Sequence, residues 1–210
     1  MLVSINCFRR IWNFLGSVGF ILGLMVYSSD SLSQTEAVIF EINYESGIYD
    51  LDLNYDGLID KVVAGYHASG TAHSFIEFNL LLSNPPNFRT DQVYHSIAPF
   101  QSKLQELTTR SNADCQIRNI KFVKFPKDGE DYKLLVIERV NVPSGGHSES
   151  QVEFSVLKLN RGNTAGVPAF YYLDSAEVVS DNEYCSVNDA FDQEWASIYV
   201  ALSNQLLSSK

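Results

Sequence analysis

Residues 184–207 read YCSVNDAFDQEWASIYVALSNQLL, and this stretch decides the fold. From Val187 onward, apolar side chains recur at Phe191, Trp195, Ile198, Leu202 and Leu206, a stripe with the period of a helix. Ser186 followed by Asp189 fits a capping box at the helix start, and Cys185 stands just before that cap. Upstream the period is two. "AVIFEINY" and "IYDLDL" alternate on either side of Ser46-Gly47. "LIDKVVAGY" follows Asp56-Gly57, a dipeptide favoured in tight hairpin turns because glycine accepts positive φ. "SFIEFNLLL" stops at Asn84-Pro85-Pro86, where proline lacks the ladder donor. "IRNIKFVKF", "YKLLVIERVNV", "QVEFSVLKL" and "AFYYLDSAEVV" are further β-branched and aromatic runs. Gln101–Thr109 is expected as a short helix. The sequence therefore predicts an α+β fold, mainly antiparallel β-sheet with a C-terminal helix packed on one face through its Phe/Trp stripe.

The chain starts differently. "MLVSINCFRR" is short and basic, "IWNFLGSVGFILGLMVY" is apolar, and small polar residues follow in "SSDSLSQ". Val26-Tyr27-Ser28 and Ser31-Leu32-Ser33 both satisfy the small-residue rule at a leader cleavage site. Residues 1–33 are expected as a signal peptide and 34–210 as a single globular domain, exported and with no stable membrane insertion after cleavage. An uncleaved anchor is the alternative, because about 17 residues can just span a thin bilayer; Asn13, Ser17 and the glycines weaken it. Export changes the cysteine arithmetic. Cys7 leaves with the leader, and Cys115 and Cys185, in an oxidising compartment, most simply form one disulfide. A closed loop of roughly 70 residues corresponds to about 4 kcal/mol on the chain-entropy estimate. Two buried thiols are the alternative.

The formal charge is −10, and losing Arg9, Arg10 and Asp30 with the leader moves it to −11. Such a surface repels phosphate backbones and anionic lipid headgroups, so no nucleic acid partner is expected. It suits a cationic partner or bound cations, or serves solubility alone.

Familiar catalytic patterns are missing: no nucleophile elbow, no Walker loop, no dinucleotide glycine fingerprint. His67, His73, His95 and His147 lack tight metal-ligand spacing, although His67 and His73 can meet across a turn. Ser155-Val156-Leu157-Lys158 and Ser180-Asp181-Asn182 match short β-lactamase patterns, but "VEFSVLKL" alternates, which sends Ser155 and Lys158 to opposite faces of a strand. Asp189, Asp192 and Glu194 lie in the first turns of the helix, where carboxylates suit the macrodipole. No enzyme is expected.

"DLNYDGLID", residues 52–60, is the remaining chemical feature. Asp52, Asn54, Asp56 and Asp60 offer side-chain oxygens at alternating loop positions around Gly57, and Leu58 can add its carbonyl. Hard cations such as Ca²⁺ take six to eight oxygens in such a pattern, so a structural calcium ion is a candidate cofactor. Val63 stands where an EF-hand needs a bidentate Glu, and no helices flank the loop. The other reading is a turn whose Asx side chains cap local amides.

Four segments, "DLNYDGLIDKVV", "AHSF", "TTRSNADCQIRNIKF" and "YCSVNDAF", resemble the CarG-like family of carbapenem intrinsic-resistance (self-immunity) proteins, in the family's order from about Asn43 to Glu194. The resemblance implies a periplasmic protein that confers carbapenem tolerance by binding rather than hydrolysis. A protein acting by binding would engage penicillin-binding proteins or the carbapenem itself, and an exposed sheet edge would make a homodimer a candidate assembly. It also places the family's two cysteines at Cys115 and Cys185. Ser186 and the loop "NVPSGGHSES" depart from the family pattern. The competing expectation is a secreted calcium-binding interaction module unrelated to antibiotics.

Overall fold

The alternating runs form strands, which the computed structural model describes over residues 38–40, 46–68, 74–83, 94–99, 107–111, 115–125, 131–142, 148–160 and 170–209. The leader expected at 1–33 lies outside the described residues. In chain order the strands are β1 (Val38–Phe40), β2 (Gly47–Leu51), β3 (Asp60–His67), β4 (Phe75–Ser83), β5 (Tyr94–Ser96) and β6 (Ala98–Pro99). They continue with β7 (Arg110–Ser111), β8 (Gln116–Lys124), β9 (Lys133–Arg139), β10 (Ser150–Asn160) and β11 (Phe170–Tyr184), and the helix α1 (Val187–Ser208) follows.

The expected class holds, mainly antiparallel sheet with one C-terminal helix, but the strands divide into two sheets. The larger runs β1–β8–β9–β10–β11–β6 with β7 also on β8, and the smaller runs β2–β3–β4–β5. Only β6 on β11 is parallel among these pairings. The two runs beside Ser46-Gly47 do not pair with each other: β1 joins β8 and β2 joins β3. Residues 107–109, expected at the end of a short helix, instead run extended along β4. Phe78 N–H donates to Leu107 O at 2.8 Å and Thr109 N–H to Ile76 O at 2.9 Å. The edge of β4 needs partners for its amides and carbonyls, and this need overrides a weak local helix preference. The first part of that expected helix, 101–106, lies outside the described residues.

Each strand's sequence reflects how many of its faces are covered. β4 buries one face, so Ile76, Phe78, Leu80 and Leu82 alternate with polar or half-exposed residues. Those side chains, with Leu51, Leu53 and Val62, pack against Phe122, Leu134, Val136 and Leu157 of the larger sheet. The opposite face of the larger sheet is covered as well: Leu135, Ile137, Phe154 and Val156 meet Phe191, Ile198, Leu202 and Leu206 of α1. A strand covered on both faces loses its alternation, and "LLVI" at 134–137 is the result. Fully burying one such side chain contributes about 1.5–3 kcal/mol.

Two local devices fix the start of α1. The Ser186 hydroxyl accepts from Asn188 N–H at 3.2 Å, closing one of the unpaired amides of the first turn. One residue earlier, Cys185 is bonded to Cys115, which directly precedes β8, with a Cα–Cα distance of 5.5 Å.

Candidate functional site

The loop between β2 and β3 holds the residues singled out from sequence. β2 and β3 pair up to Leu51 and Asp60, so residues 52–59 form the connection, longer than the tight Asp-Gly turn expected. Tyr55 (φ 55°) and Gly57 (φ 83°) both adopt the left-handed conformation. Glycine accepts this freely, whereas a tyrosine there is strained.

Asx side chains hold the loop in place. Asp52 accepts from Asp56 N–H at 3.0 Å and from Gly57 N–H at 2.9 Å. Asn54 Oδ1 accepts from Asp56 N–H, and its Nδ2 donates to Asp56 Oδ2 at 2.9 Å. Asp56 Oδ1 takes the Leu58 amide at 2.8 Å. Asp60 is fully buried at the base, accepting from Leu53 N–H and Ser83 N–H, each at 2.8 Å. Burial pushes the Asp60 carboxyl up to about 6; the two amides pull it back, and the charges of Asp56 and Asp52 add to the rise. Asp52, Asn54, Asp56 and Asp60 thus all direct oxygens at backbone amides, while Leu58 contributes its N–H. Among the described residues no three His, Cys, Asp or Glu side chains form a group that could hold a metal ion.

The loop is also clasped from the larger sheet, which the sequence reading did not foresee. Tyr132 N–H donates to Leu53 O at 3.1 Å. The Lys124 ammonium lies 5.1 Å from the Tyr55 ring centre and 4.6 Å from that of Tyr132. Burial, then the nearby Asp52 charge, raises the Tyr132 phenol above its ordinary value. The outer surface of the loop carries Tyr55 and Ile59, which are 56% and 50% exposed, together with exposed Asp56.

The other marked residues have structural employment. Ser155 is buried on β10, its hydroxyl 3.1 Å from Glu153 Oε1 and 3.4 Å from Glu177 Oε1. Leu157 and Leu159, which share its parity, point into the core between the sheets; Lys158 falls on the other face. Ser180 sits at a register shift between β10 and β11, where its hydroxyl accepts the Val152 amide at 2.9 Å and donates to Asn182 O. His67 stacks on Phe75 with its Nε2 3.2 Å from Glu77. His73 and His147 lie outside the described residues.

Glu194, read from the sequence as a carboxylate suited to the helix macrodipole, lies beyond the first turn and has a different task. It is buried, and it accepts from Asp181 N–H, Asn182 N–H, Asn182 Nδ2 and Tyr184 O–H. Burial alone would raise its carboxyl; the bonds from Tyr184, Asp181 and Asn182 together outweigh that and hold it below its ordinary value. The signal was in the stripe itself, since residue 194 falls between Phe191 and Ile198 on the buried face.

No known protein family matches the sequence, and no curated protein matches it. Among solved structures, the crystal structure of CarG matches at 21% identity and a TM-score of 0.57, over 72% of this chain and 93% of that one. The fold is CarG-like. Two of the segments that resemble the CarG-like family are joined in this fold by the Cys115–Cys185 bond. Asn119 Nδ2, in the first, also donates to Asn188 Oδ1, in the second, at 2.7 Å.

Proposed function

We propose that this protein is a periplasmic carbapenem-immunity protein that acts by binding and leaves the drug intact. The observation that carries the reading is the match to CarG across nearly that whole chain. The four resembling sequence segments, met in the same order, support it. Binding rather than hydrolysis is supported by the employment of Ser155 and Ser180 in strand packing and in repair of the β10–β11 ladder. A protein target is favoured over the drug itself, because carbapenems are anionic near neutral pH and the chain carries −10. The natural targets are the transpeptidases that carbapenems acylate. Acylation of a purified penicillin-binding protein, with and without this protein present, tests the reading. The expected result is slower acylation with the carbapenem recoverable in full. Unchanged acylation, or drug consumed with turnover, would overturn it.

A further inference from the structure

The loop at 52–59 keeps two features that folding does not require. A tyrosine occupies a left-handed position where asparagine or glycine would fit without strain. Tyr55 and Ile59 also stand at least half exposed on the same short connection. The cation–π contact with Lys124 uses the Tyr55 ring but leaves it mostly in water. Aromatic side chains fixed in one orientation and ringed by polar groups are the usual anchors of protein interfaces, because little conformational freedom remains to be lost on binding. The Asx–amide bonds and the Leu53–Tyr132 bond supply that fixation from both sheets.

We infer that this loop is a protein-docking surface, with Tyr55 and Ile59 as its anchors, and that the partner face is an apolar socket rimmed by lysine or arginine. Charge selects the partner. Asp52 and Asp56 share the loop with the anchors, and the Lys124 ammonium over the Tyr55 ring offsets one of these two charges; on a chain of formal charge −10 a basic rim still gains complementarity and an acidic one does not. The surface deepens the immunity reading, since it names where a protein target would be held.

Two arms test the surface separately from the antibiotic reading. In the first, a photo-crosslinking phenylalanine analogue replaces Tyr55 or Ile59 in the exported full-length chain, with Ile48, 68% exposed on β2, as control position. One defined protein adduct is expected from 55 and 59, absent from 48 and weakened by added salt or by Asp56→Asn. No adduct at 55 and 59, equal adducts at all three positions, or a salt-insensitive adduct overturns the surface, whether or not the chain confers tolerance. In the second arm, the crosslinked partner is purified and binding is measured with Tyr55→Asn. Asparagine accepts the left-handed backbone, so the melting temperature should hold while affinity falls about 30-fold, the scale of a hot-spot loss. Unchanged affinity removes Tyr55 as an anchor and sinks the proposal. Tolerance lost in the parent chain but docking retained would instead sink only the immunity reading.

Discussion

At the scale of single residues, the buried acids reward the most exact attention. Asp60 shares the parity of Val62 and Ala64 on β3, so the alternation that puts those two in the core puts Asp60 there as well. That much was legible. Its bonds were not: the one to Leu53 depends on how the β2–β3 connection folds back, and the one to Ser83 joins residues that only the β3–β4 pairing brings together. With its folded-state value raised to about 6 from an ordinary 3.8, Asp60 holds a proton in the folded chain over a range where the unfolded chain releases it. Its contribution to stability therefore grows as pH falls from about 6 toward 4, and its ionised form weighs against folding above that window. Urea midpoints across pH 7 to 4 should show the parent gaining on Asp60→Asn as pH drops; parallel profiles would mean that Asp60 titrates at its ordinary value.

Glu194 has the opposite sign. Its carboxyl is held low, so its stabilisation is present above the ordinary glutamate range and fades as pH falls through the depressed value. Removing the side chain leaves the Asp181 and Asn182 amides to water and strands the buried Tyr184 hydroxyl. Glu194→Ala should cost about 1–3 kcal/mol by denaturant unfolding, on the usual penalty for one unsatisfied buried group. A loss under 1 kcal/mol would mean water replaces the carboxylate without difficulty.

At the scale of elements, α1 does more than cover a face. On the side of β11 away from β10, only Phe170 and Tyr171 meet another strand among the described residues. Further along that strand, Gln205 accepts from Glu177 N–H at 2.9 Å and donates to Glu177 O at 3.1 Å. These are the two bonds an opposed antiparallel residue would exchange, so the side-chain amide stands in for a missing strand. Helical periodicity revealed α1, its apolar stripe and its Ser186 cap. It gave no warning that polar members of the same face would finish a sheet edge, because strand pairing is a non-local property. The helix start depends on the Cys115–Cys185 bond, which closes a sequence separation of 70 residues. Replacing both cysteines with serine should lower stability by about 4 kcal/mol on the chain-entropy estimate, with far-UV circular dichroism unchanged below the new melting point. An unaltered melting temperature would show that apolar packing of α1 suffices.

At the scale of the whole molecule, three layers explain the sequence: a small sheet, a large sheet buried on both faces, and a helix. The class could be read from the change of period at Val187, but the number of sheets could not. Continuous runs such as "LLVI" indicate burial on both faces without saying what lies on either. The two runs beside Ser46-Gly47 part company for a related reason: β1 joins the large sheet and β2 the small one, and local alternation does not choose between two sheets. The same layers carry the CarG likeness on which the functional reading depends. Carbapenem tolerance of a susceptible Gram-negative host exporting this chain, with the drug remaining in the medium assayed alongside, tests that reading most directly. Growth at several-fold higher carbapenem with the drug undiminished is the predicted result; folded, exported protein with no gain in tolerance, or tolerance matched by loss of drug, would contradict it.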